Sequence, residues 1–175
     1  MFGVWRYAVM GLLFVRHDIG TVYFTDAVVC RMLAHRQHGT QSREAGGVLL
    51  GRHLLDCDDL VVDELTEPTR SDRRSWASFF RSLAHQTRTF NRWRRSRATC
   101  AYLGSWHTHP EANPHPSNTD FEDWRHALAR DRYEGDNLFF VIVGTRRLRV
   151  WQGNRRAGIH EIHIKETQNG EAFAQ

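Results

Sequence analysis

Apolar and polar positions along the chain follow two periods, and the switches between them mark out the elements. Thr21 to Phe24 is a short strand, and Val29, Met32 and Leu33 then share one face at helical spacing. Thr25 stands where a cap belongs and Gly39 where a helix stops, so the spacing predicts a helix from about 26 to 38. Residues 46–53 and 59–65 run apolar on either side of a Leu-Asp-Cys-Asp-Asp turn and predict an antiparallel hairpin. Trp76, Phe79, Phe80, Leu83, Thr87 and Phe90 recur at three and four, predicting one long amphipathic helix over 71–95, with its aromatics in the core and its arginines in solvent. Cys100 to Trp106 is a strand. A helix from Asn118 to about Tyr133 buries Phe121, Trp124, Ala127 and Leu128 and stops near Gly135. The unbroken apolar run after Asn137 is the most central strand, Arg147 to Trp151 pairs with it, and Gly158 to Lys165 forms an outer strand. The class is α/β, a mixed sheet with helices packed on it.

The ends of the chain add little. Arg6 and the apolar residues after it resemble a short signal-peptide core, but no Ala-x-Ala site follows and the run is too short to span a bilayer. Residues 1–15 are therefore read as an extension and an edge strand, with Met10 a second candidate start. Residues 16–165 form a single domain and 166–175 a polar tail. One domain of this length buries about two-thirds of its unfolded surface, so no disulfide staple is needed. Cys30, Cys57 and Cys100 are odd in number and widely spaced, and they read as reduced, buried thiols of a cytoplasmic protein.

The formal net charge is +4, with nine arginines between Arg70 and Arg97. Basic residues interleaved with aromatics suit single-stranded nucleic acid. At helical period, however, the aromatics read as core and the arginines as a solvated face, which argues against that partner.

The chemistry gathers at residues 104–120. Alternation along a strand puts His107 and His109 on one face, about 6 to 7 Å apart along the backbone, which is chelating geometry. Three prolines then bar helix and inner strand, and Ser117 to Asp120 read as a capping box opening the next helix, which brings Asp120 back towards the histidines. Two imidazoles and a carboxylate suit Zn²⁺, and three protein ligands leave a fourth position open. A carboxylate outside the ligand set is then needed to accept a proton. Glu44 is the candidate, since Gly46 and Gly47 beside it permit close backbone approach. His115, confined between two prolines, is a weaker choice of ligand, and Trp106 points away from His107 into the core.

Glu44 with Gly46-Gly47, His107-x-His109 followed by Pro110, Ser117 after seven residues that intervene from His109, and Asp120 after two more resemble the complete motif of the JAMM (MPN+, JAB-domain) metallopeptidases, over roughly residues 20 to 152. The resemblance implies a three-layer JAB/MPN fold, which is cytidine-deaminase-like. It implies one Zn²⁺ per chain on His107, His109 and Asp120, with Glu44 as general base and Ser117 as an oxyanion donor. It further implies cleavage after the C-terminal glycine of a ubiquitin-like protein or its conjugate, with no membrane partner. The stand-alone prokaryotic members that it most resembles include deconjugating peptidases of CBASS-type antiphage systems. Alternatives are a sulfur-carrier processing peptidase, a metal-free MPN scaffold and a DNA-associated JAB protein. By analogy, the 71–95 segment is a place for partner contacts, a homodimer among them.

Overall fold

The computed structural model describes residues 11–39 and 41–165, so the readings made for the extension up to residue 10 and for the tail lie outside it. Ten strands and three helices are defined among the described residues. They are β1 Leu12–Val15, β2 Thr21–Phe24, α1 Asp26–Ala34, β3 Gly46–His53, β4 Leu60–Leu65, β5 Arg73–Ser75, β6 Ser78–Phe80, α2 Leu83–Arg95, β7 Ala101–Thr108, α3 Asn118–Arg130, β8 Asn137–Val143, β9 Leu148–Asn154 and β10 Gly158–Ile162. Eight strands make one mixed sheet in the order β1-β2-β4-β3-β7-β8-β9-β10, with β2–β4 and β7–β8 parallel and the remaining pairs antiparallel.

Strand β8 explains the three layers. Phe139, Val141 and Val143 enter the core that contains Val28, Val29 and Met32 of α1, while Leu138, Phe140 and Ile142 face Trp124, Ala127 and Leu128 of α3. A strand buried on both faces has to be apolar throughout, which is how 138–143 reads. Strands β3 and β7 hold the middle of the sheet, so β8, although buried from Leu138 to Val143, is interior rather than central. The edge of the sheet at β1 is covered, because Phe14 bridges Ile164 and the Lys165 amide donates to Leu13 at 2.7 Å. No helix among the described residues is long and apolar enough to cross a membrane.

Four expectations are corrected. The helix over 71–95 does not exist as such: β5 and β6 pair as a two-stranded hairpin, and only 83–95 is helical. Local hydroxyls and a carboxylate capture the backbone that a helix needs. Ser75 Oγ accepts the Ala77 amide at 3.3 Å and lies 2.5 Å from Ser78 Oγ, while Asp72 accepts the Thr69 and Ser82 amides. The aromatics of this segment are not core either, since Trp76, Phe80, Phe90 and Trp93 are all exposed. Helix α1 stops at Ala34 instead of 38, and Thr25 caps it by position only, its hydroxyl being buried without a partner. Of the cysteines only Cys100 is buried. Cys30 lies off the apolar face of α1, and Cys57 lies in the turn between β3 and β4.

Candidate metal centre and catalytic cleft

Two strands and a helix start build the site. Strand β7 pairs antiparallel with β3, with Gly46 opposite His107, and the Thr108 amide continues the ladder to Ala45 O at 2.8 Å. Two further steps along that register set Glu44 opposite His109. Residues opposite one another in an antiparallel pair share a face, so Glu44, His107 and His109 look into one cleft. Thr108, between the histidines, points the other way. It is fully buried, and its hydroxyl accepts the Ala45 amide at 2.9 Å and donates to Gln37 Oε1 at 3.2 Å.

Asp120 comes from the first turn of α3, held by the capping box anticipated from the sequence. The Asp120 amide donates to Ser117 Oγ at 3.1 Å, and the Ser117 amide and hydroxyl donate to Asp120 Oδ2 at 2.6 and 2.7 Å. His107 Nε2 lies 3.0 Å from Asp120 Oδ1, His109 Nε2 lies 3.5 Å from Oδ2, and the two Nε2 atoms are 3.0 Å apart. All three ligand atoms lie within 4.8 Å of one another. His115 is exposed and stands outside this group.

The electrostatics separate the two carboxyls. Burial is the largest influence on Glu44 and lifts its pKa from 4.5 to about 7; the nearby His109 opposes the rise and Asp120 adds to it. Burial also works to raise Asp120, but hydrogen bonds from His107, His109 and Ser117 outweigh it and hold that carboxyl well below its ordinary range. His109 is lowered by burial and raised by Asp120, and the rise prevails. One carboxyl is thus fixed as an anion among cationic or metal-binding partners, while the other is poised to exchange a proton near neutral pH.

A cleft of about 500 Å³ contains these residues. One wall is Glu44, His107 and His109, another is Ser117 and Asp120, and a third is the hairpin with Trp76, Phe79 and Phe80. The glycine pair acts as its spacing suggested. A Cβ on Gly46 would lie 2.6 Å from the Phe79 ring, and one on Gly47 would lie 1.9 Å from the carbonyl oxygen of Thr66. Sequence reasoning missed the hairpin wall, Gln37 and Thr108. The one available signal was the Ser-Trp-Ala-Ser stretch, whose hydroxyls favour a turn.

Known proteins resemble this chain in sequence and in fold. Residues 25–155 match the family described as prokaryotic homologs of the JAB domain. A Vibrio cholerae protein named CD-NTase/cGAS isopeptidase is 37% identical over 143 residues, covering 79% of this chain and 84% of that protein. A protein of the same name from Pseudomonas aeruginosa is 34% identical over 130 residues, covering 74% and 80%. The solution structure of a Desulfitobacterium hafniense protein superposes with a TM-score of 0.55 at 25% identity, covering 79% of this chain and 87% of the other. The chain belongs to the family of prokaryotic homologs of the JAB domain.

Proposed function

We propose that this chain is a zinc-dependent isopeptidase that cleaves the amide bond after the C-terminal glycine of a ubiquitin-like protein, acting through one domain over residues 16–165. The family and the shared name of its relatives support the coarse class, a JAB-type hydrolase of isopeptide bonds. That name also favours a conjugate in which a CD-NTase is one half, and with it the cytoplasmic, antiphage setting. The single observation that carries the metal assignment is the convergence of His107 Nε2, His109 Nε2 and the Asp120 carboxylate, at 3.0 to 3.5 Å, in the cleft that Glu44 lines.

The donor set fits zinc. Bonds of 2.0 to 2.1 Å in a tetrahedron put ligand atoms about 3.3 Å apart, close to the separations found here. When bound, Zn²⁺ supplies Lewis acidity, polarising a carbonyl and making water acidic enough to lose a proton near neutral pH. His107 and His109 hold it from the end of β7, and Asp120 completes the set while the capping box fixes its orientation. Glu44 accepts the proton of the attacking water and returns it to the leaving amine as the C–N bond breaks, a two-way task that suits a carboxyl with a pKa of about 7. Ser117 donates its hydroxyl to Asp120 at 2.7 Å, so service to an oxyanion requires it to rotate, leaving the Ser117 amide to hold Asp120.

The test uses the full chain. Elemental analysis should give one zinc per chain, and a ubiquitin-like protein joined through its terminal glycine to a lysine should be released intact. A chelator should stop the release and added Zn²⁺ restore it. A chain with no stoichiometric zinc, or cleavage indifferent to the chelator, overturns the proposal.

A further inference from the structure

A second constellation, made of side chains almost wholly out of solvent, joins the main sheet to the hairpin. Thr66 follows β4, His85 sits in the first turn of α2 and Asp72 precedes β5. Thr66 Oγ1 is 2.6 Å from His85 Nδ1, and His85 Nε2 is 3.0 Å from Asp72 Oδ2. The side chains of His85 and Asp72 are 2% and 0% exposed, which excludes a substrate from reaching them.

The partners assign the hydrogens. Asp72 already accepts the Thr69 and Ser82 amides, at 2.6 and 2.9 Å, so His85 Nε2–H donates to it. Thr66 Oγ1 accepts the Val48 amide at 2.8 Å, which leaves its own hydrogen for His85 Nδ1. The result is a one-way chain from β3 through Thr66 and His85 to Asp72, with every polar group satisfied.

What the chain secures is the hairpin. Asp72 ties the residue before β5 to the residue before α2, closing the base of hairpin 73–80, and His85 anchors that base to the main sheet. The far end meets Glu44: the Glu44 amide donates to Ser75 O at 2.8 Å, and Arg74 Nε donates to Glu44 O at 2.5 Å. Gln37 Nε2 adds a bond to Trp76 O at 2.9 Å. Strand β3, the hairpin and Glu44, two residues before β3, are therefore closed into one loop by hydrogen bonds.

We infer that Thr66, His85 and Asp72 are positioning residues that act through the β5–β6 hairpin to hold Glu44 in place for proton transfer. The inference rests on the reading of Glu44 given above. None of the three touches substrate or metal.

Two variants test it in the full-length protein. In Asp72→Asn the new NH₂ must face either the Ser82 amide or the pair formed by the Thr69 amide and His85, so at least one bond opens whichever way it turns. Thr66→Val removes the hydroxyl at nearly constant shape, and Thr66→Ser restores it. Expected are unchanged zinc content, faster hydrogen exchange at the Glu44 amide, and a kcat lower by about 10- to 100-fold, the range for residues that orient functional groups. Thr66→Ser should recover both readouts. Should Asp72→Asn fail to fold, the valine and serine pair decides alone. Wild-type exchange at Glu44 in a folded Thr66→Val protein overturns the inference, as does faster exchange spread evenly over β3, β4 and β7. Exchange that responds in a wild-type chain lacking isopeptidase activity sinks the proposed function and leaves the clamp standing.

Discussion

Replacing Glu44 by Gln keeps the volume of a buried side chain and removes its charge. Glu44 is 5% exposed, and burial is the chief reason its carboxyl has a pKa of about 7 in the folded protein, against an ordinary value of 4.5. Between those values the folded chain keeps a proton that the unfolded chain has lost, so this carboxyl lowers stability as pH rises. The cost is absent below pH 4.5, grows through the window from 4.5 to 7 and is complete above it. The two values correspond to about 3 kcal/mol at pH 8 and under about 1 kcal/mol at pH 5. Glu44→Gln should therefore be more stable than the wild type by those amounts, read from urea unfolding in a chelator at both pH values by tryptophan fluorescence. Added Zn²⁺ should shrink the gain at pH 8, because a nearby dication favours the ionised carboxylate. The same variant should bind zinc as the wild type does and lose nearly all turnover. A Glu44→Gln protein no more stable than wild type at pH 8 would refute the burial argument, and one with near wild-type turnover would refute the assignment of the base.

Other variants probe the parts separately. Ser117→Ala removes the cap of α3 and one of the two bonds from Ser117 that hold the Asp120 carboxylate, so unfolding should cost about 0.5 to 2 kcal/mol less. Zinc affinity, read by competition with a chelating dye, should fall about 10- to 100-fold in the same variant. Gly47→Ala puts a methyl group 1.9 Å from a backbone carbonyl that a side-chain rotation cannot move, and about 1 to 3 kcal/mol should be lost in urea unfolding. Trp124→Ala, which breaks a stack on Phe140 with ring centroids 4.8 Å apart, should lose about 3 to 5 kcal/mol in the same assay. Trp93→Ala, on the exposed side of α2, should stay within about 0.5 kcal/mol of wild type. Equal losses at the two tryptophans would restore the buried aromatic face expected for that helix.

The contrast between those tryptophans shows where a pattern in one dimension stops being informative. Trp124 belongs to a run whose period agrees with its cap and its stop, so several local signals point to one helix. Trp76, Phe79 and Phe80 also fall at helical spacing, but serine hydroxyls and Asp72 offer the backbone other partners, and some of those partners lie far along the chain. Spacing sees neither the competition nor its distant winners.

What the sequence determined by itself was whatever depends on near neighbours. Alternation aimed His107 and His109 the same way, the capping box set Asp120 in the first turn of α3, and the glycine pair announced a close approach beside Glu44. The tertiary structure decided which groups meet. Glu44 reaches the histidines only because β3 pairs with β7, and its raised pKa exists only once packing has removed water from it. The chain from Thr66 through His85 to Asp72 joins three segments that carry no shared motif, because hydrogen bonds and burial act through space and leave no mark on spacing along the chain.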